Sequence, residues 1–128
     1  MNITVTVQQA RQLVAIMRLQ GDIDASNFVQ VVDKAQEIYR NPARYLIIDL
    51  SEVPSISSTG LVAIHKIALL YGGVSGEKTH PDLTHNSQAR KFVKLVSPQP
   101  AVDKALETAG MKLFFKVFQD LESALNSF

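Results

Sequence analysis

The segment Tyr45–Leu50, YLIIDL, is apolar at nearly every position and does not alternate. A strand with one wet face alternates, so an unbroken apolar run calls for cover on both faces. Helices are expected to pack against the sheet that holds it. The flanking patterns supply the rest of that sheet. In NITVTVQQA, Ile3, Val5 and Val7 face one way and Thr4 and Thr6 the other, which predicts a half-buried strand. QLVAIMRLQG predicts a second, more central strand that ends at Gly21, and the short polar link between them suits an antiparallel hairpin.

Helical periodicity follows each later strand. Asp24 is placed to cap a helix over Ala25–Arg40, whose Phe28, Val31, Val32, Ala35, Ile38 and Tyr39 recur at spacings of three and four. Pro42 stops it. After YLIIDL, a second helix runs from Thr59 to Tyr71, with Leu61, Ile64, Ala68 and Tyr71 as its buried face, widened by Leu69 and Leu70. Residues 72–90 are rich in Gly, Ser, Thr, His, Asn and Pro and read as a long flexible loop. KFVKLV is a further strand. PQPAVDKALETAG is a helix with Pro100 early and Gly110 just past its end. KLFFKVF is a last strand, and Asp120 caps a short helix over Leu121–Asn126. The order β-β-α-β-α-β-α-β-α predicts an α/β fold: one domain over residues 1–128, a mixed sheet opened by a hairpin and packed with helices.

Composition narrows the function classes. The formal net charge is +1, and no basic patch interleaves with aromatics, which argues against a nucleic-acid partner. Arg90, Lys91 and Lys94 read as charges solvating a strand edge. With no cysteine, thiol catalysis, disulfides and Cys-ligated metal are excluded. MNITVTVQQARQ lacks the pattern of a signal peptide, and His65 and Lys66 cut the longest apolar pattern. The expectation is a cytoplasmic protein without membrane insertion.

Three motifs point toward chemistry and fall short of it. GGVSGEKT, Gly72–Thr79, has the look of a phosphate-binding loop. Glu77 separates Gly76 from Lys78, and a helix precedes the motif where a strand is required. His80 and His85, with Asp82 between them, match no metal-ligand spacing. SSTG is not the Gly-x-Ser-x-Gly elbow of a hydrolase, and nothing brings His65 to it as a base. The chain is therefore not expected to be an enzyme, and no cofactor or metal is implied.

The remaining feature is a run of three hydroxyls, Ser57, Ser58 and Thr59, directly before Gly60 and the second helix. Ser58 or Thr59 would cap that helix. One cap does not account for three hydroxyls. The same helix tip favours negative charge, so the fold would tolerate a phosphate there, adding about −1.5 to −2 charges.

LIIDLSEVPSISSTGLVAI resembles the signature of STAS domains, the family of bacterial anti-sigma factor antagonists. Asp49, Leu50 and Ser51 match the end of its apolar strand, and Gly60 and Leu61 match its helix start. LQGDIDA, Leu19–Ala25, is similar to the family's other landmark, a turn before the first helix. The resemblance implies a module that binds an anti-sigma factor, itself a serine/threonine kinase, and that releases it when phosphorylated. A phosphatase then resets the module. Aligned on Gly60, the acceptor is Thr59, with Ser58 as the alternative. The docking residues implied are Gly21, Asp22, Asp24, Ser57, Ser58, Thr59, Gly60 and Leu61, with the loop 52–58. Two departures stand out: Ser57 replaces the family's Asp, and Thr replaces Ser at the acceptor. The alternative is an unswitched STAS subunit of a larger assembly, such as a signalling scaffold or lipid-transport complex. The first strand also offers an open edge for a homodimer.

Overall fold

Strands β1 (Asn2–Gln9) and β2 (Leu13–Gln20) form an antiparallel hairpin, in register from Asn2 opposite Gln20 to Gln9 opposite Leu13. The computed structural model describes residues 1–40, 45–71 and 92–128. After the hairpin come α1 (Phe28–Tyr39), β3 (Tyr45–Glu52), α2 (Ser58–Tyr71), β4 (Val93–Val96), α3 (Pro100–Thr108), a 3-10 turn (Met111–Leu113), β5 (Lys116–Phe118) and α4 (Leu121–Asn126). The sheet order is β1-β2-β3-β4-β5, and β2 through β5 are parallel.

That order decides where the helices go. Strands taken in spatial sequence, joined by right-handed crossovers, place every connecting helix on one face. Accordingly, Val31, Ala35 and Ile38 of α1, Ala63, Ile64, Ile67 and Ala68 of α2, and Val102 and Leu106 of α3 share one core. Under them lie Ala15, Met17 and Leu19 of β2, Leu46, Ile48 and Leu50 of β3, and Val93 and Leu95 of β4. Tyr71 ties α1 to α2, donating its hydroxyl to the Ala35 carbonyl at 3.1 Å. The chain then returns over the opposite face as α4. Ala124 and Leu125 cover Val14, Ile16, Ile47 and Val96 there. β3 is thus covered on both sides, which is why YLIIDL does not alternate. Each fully buried Leu or Ile stabilises the fold by about 1.5–3 kcal/mol relative to exposure.

Several expectations are corrected. β1 is not half-buried: only Ile3 is partly covered, while Val5 and Val7 are exposed. It is an edge strand, and nothing described lies beyond it. α1 starts at Phe28 and ends at Tyr39, because residues 24–27 form a turn that Asp24 organises. Only the last part of Lys112–Phe118 is a strand. Gly110 ends α3 in the left-handed region (φ 75°), and the chain coils through the 3-10 turn so that Met111 and Phe115 enter the core. Lys94 does not solvate an edge. It is buried in β4, with its ammonium 5.2 Å from the centre of the Phe128 ring. The break at Pro42, the loop 72–90 with GGVSGEKT, His80, Asp82 and His85, and the charges Arg90 and Lys91 lie outside the described residues. Gly21 does end β2, with φ 113°, and Asp120 does cap α4, accepting from the Ser123 amide at 2.8 Å.

Candidate functional site

The tip of α2 is built by Ser57. Its carbonyl accepts from Leu61 N–H at 2.9 Å, the first helical bond, and its Oγ accepts from Gly60 N–H at 3.1 Å. Ser57 is therefore the N-cap, and the expected cap at Ser58 or Thr59 is corrected. Ser58 and Thr59 occupy the first turn with exposed side chains, and no acidic residue shares that turn.

A second loop is zipped to this tip. Gly21 N–H donates to the Glu52 carbonyl at 3.0 Å, Ile23 N–H to the Ser55 carbonyl at 3.1 Å, and Ser57 N–H to the Ile23 carbonyl at 2.9 Å. Ile23 itself is fully buried. Gly60 permits the closeness: a Cβ there would run into the Ile23 carbonyl oxygen and stand 2.7 Å from Cγ1 of Ile56. The two landmarks, LQGDIDA and SSTGL, are thus one structural unit. Gly21, Asp22 and Asp24 lie on one wall, and Ser57, Ser58, Thr59, Gly60 and Leu61 on the other.

Charge at this unit is held by short-range hydrogen bonds. The Ser26 hydroxyl, and then its backbone N–H, donate to Asp24 and hold its carboxyl below the ordinary 3.8. Asn27, buried, accepts from the Asp24 amide at 3.0 Å and donates to the Asp22 carbonyl at 2.7 Å. Asp22 is exposed. On the strand side, Asp49 accepts from Ser51 N–H at 2.9 Å and from Arg18 Nε at 3.2 Å. Gln99 donates to the Ser51 carbonyl at 2.9 Å. Asp49, Leu50 and Ser51 therefore shape the exit from β3; they hold the loop that carries the hydroxyls.

Beside the tip lies a feature that sequence reasoning missed. Ser58, Leu61, Val62 and His65 of α2 line a shallow, largely apolar groove of about 410 Å³ with Ala109, Met111 and Phe114. The His65 and Phe114 rings are 5.2 Å apart. Leu61 is only partly buried, so it belongs to this groove as much as to the core, and Ala63 and Ile67 complete the buried face instead. The signal available in the sequence was the pair Val62 and His65, set on the helix side opposite the core. Of their groove partners, Ala109 follows α3, Met111 opens the 3-10 turn, and Phe114 comes from the part of KLFFKVF that reads as a strand and is not one. Among the described residues no three His, Asp or Glu side chains come together to hold a metal, and no helix is long and apolar enough to cross a membrane.

A family model for the STAS domain matches residues 5–75, which take in both walls of the unit. The chain belongs to the STAS domain family. Solved structures agree with this STAS domain in fold. An anti-sigma factor antagonist from Mycobacterium paratuberculosis is 21% identical, with TM-score 0.71 over 98% of this chain and 93% of that one. The unphosphorylated form of the anti-sigma factor antagonist SpoIIAA is 17% identical, with TM-score 0.67 over 97% and 95%. The phosphorylated form of SpoIIAA from Bacillus is 15% identical, with TM-score 0.61 over 97% and 98%. No curated protein sequence matches this STAS domain.

Proposed function

We propose that this STAS domain is a regulatory binding module of the anti-sigma factor antagonist type, with Thr59 as the phosphate acceptor that switches partner binding. The observation that carries the reading is the division of labour at the tip of α2. Ser57 supplies the cap, so the hydroxyl of Thr59 is not required by the fold, and its side chain faces solvent directly before Gly60. A group that must be modified has to be both reachable and dispensable for stability, and Thr59 is both.

The chemistry belongs to the partner. A serine/threonine kinase, the anti-sigma factor itself, transfers the γ-phosphoryl of ATP to Oγ1 of Thr59. The P–O bond to ADP breaks, the new P–O bond forms, and the hydroxyl proton goes to a base on the kinase. The phosphothreonine carries about −1.5 to −2 charges. The positive end of the α2 dipole accommodates that charge within the domain. A partner seated across the tip cannot: it must bury the phosphate or withdraw. The neighbouring Asp22 and Asp24 sharpen the effect, since the docking surface already carries negative charge that a basic partner would answer. A phosphatase reverses the step. Solved structures of SpoIIAA in both phosphorylation states share this fold, in keeping with a phosphate that leaves the architecture intact.

The test is incubation with the anti-sigma factor kinase and ATP, followed by mass spectrometry, alongside binding of Thr59→Ala and Thr59→Glu. Phosphate on Thr59, retained binding by the alanine variant and loss of at least tenfold in affinity by the glutamate variant are expected. An unmodified Thr59 and Ser58 would overturn the switch. Equal binding by both variants would instead indicate a constitutive STAS subunit.

A further inference from the structure

The exposed edge of β1 reads almost the same in both directions. From Asn2 to Gln8 the sequence is Asn-Ile-Thr-Val-Thr-Val-Gln. About Val5, an amide side chain balances an amide, a β-branched aliphatic balances another, and threonine balances threonine. β1 is a terminal strand of the sheet, eight residues long, paired to β2 without a register shift. It contains no charge, no proline and no glycine. Charge, proline and a bulge are devices that ordinarily blunt an open edge, and β1 carries none of the three.

We infer that β1 is a self-association edge, whose occupant is β1 of a second copy of this chain. A two-fold interface is isologous: residue i meets j, and j meets i. A strand that pairs antiparallel with itself must therefore match its own reversal, and the palindrome selects a second copy over an unrelated strand. The side-chain period also selects the register. With the two-fold axis on Val5, Val5 faces Val5, Ile3 faces Val7, Thr4 faces Thr6 and Asn2 faces Gln8. Moving the axis to Thr6 sets Ile3 against Gln9 and Thr4 against Gln8. An axis on Thr4 would set Ile3 against Val5 but Val7 against Met1, outside the strand, so the Val5 register is the one that joins all three aliphatic residues within β1 into a ladder, on the face where Val5 is 36% and Val7 57% exposed. The absence of charge along the strand means that self-pairing meets no like-charge repulsion. The result is a continuous sheet through two domains. A seam of one strand pair is smaller than a standard interface of about 1,600 Å², so the dimer should be weak and concentration-dependent. The inference does not depend on the Thr59 switch.

Sedimentation velocity over a concentration series tests it. The wild-type chain should shift from monomer toward dimer as concentration rises. Val5→Lys and Val5→Glu should each stay monomeric, because each sets like charges directly opposite one another at the axis. An equimolar mixture of the two should recover a dimer at least as heavy as the wild type, since Lys then faces Glu. Val7→Lys, at the more exposed position, should also be monomeric, and circular dichroism confirms that each variant is folded. A wild type that is monomeric throughout overturns the inference. So does a Val5→Lys variant that associates like the wild type, or a mixture no heavier than its components.

Discussion

The carbonyl oxygen of Ile23 occupies the space that a Cβ on Gly60 would need. This contact joins the turn after β2 to the tip of α2 and makes one surface out of two distant segments. In an ordinary helix, Gly→Ala stabilises by up to about 1 kcal/mol. Here the obstacle is backbone, so the sign reverses. Gly60→Ala should destabilise by about 1–3 kcal/mol, the cost of overpacking, read as a lower urea midpoint with unchanged slope. A stabilised variant would refute the close approach.

The capping assignment gives an ordered pair of outcomes. Ser57→Ala should lose about 1 kcal/mol, while Ser57→Asp should remain close to wild type because Asp is an equally good cap. Thr59→Ala, which leaves the Ser57–Gly60 bond in place, should cost less than Ser57→Ala in the same denaturation series.

Asp49 and Arg18 should respond unequally although they contact each other. The Asp49 side chain is 7% exposed and also receives the Ser51 amide; Arg18 is 50% exposed and can be hydrated when its partner goes. Asp49→Ala should therefore destabilise by about 1–3 kcal/mol, and Arg18→Ala by about 1 kcal/mol or less. Equal losses would show that the ion pair, not the loop closure by Ser51, sets the contribution.

Acid should weaken two local structures in a defined direction. Asp120 is held below its ordinary value of 3.8 by the Ser123 backbone N–H and then its hydroxyl, as Asp24 is held below 3.8 by Ser26. A depressed folded-state pKa adds stability that is fully present above the unfolded value, and it is lost as pH falls through the folded value. Stability should thus drop below pH 3.8 from these groups, and Asp120→Asn should flatten that part of the profile while keeping the cap. Thermal unfolding monitored across that pH range provides the measurement. An identical acid slope in Asp120→Asn would remove Asp120 from the account.

Much of this arrangement was legible in the residue order. The unbroken run YLIIDL demanded cover on both faces, and the alternation of strand and helix periods set the layers. The cap at Asp120 and the turn at Gly21 announced themselves because capping and positive φ are local matters of one or a few residues. Other features were not legible for an equally physical reason. Which of three adjacent hydroxyls caps α2 depends on where the chain enters the helix, and the bond from Ser57 to Ile23 fixes that point. Asp24 looked like a helix cap, but Asn27 and Ser26 draw it into a turn of its own. KLFFKVF has the composition of a strand, yet Met111 and Phe115 reach the core only if the chain coils first.

The sequence by itself determined the α/β architecture, the order of strands and helices along the chain and the placement of hydroxyls before Gly60, because these follow from periodicity and from local backbone chemistry. Tertiary structure alone decided that the turn at 21–24 meets the tip of α2, that Ser57 and not its neighbours caps the helix, and that β1 is the terminal strand, with no described residue paired beyond it. Contacts between segments dozens of residues apart depend on how the sheet sets its neighbours, and no local pattern encodes that distance.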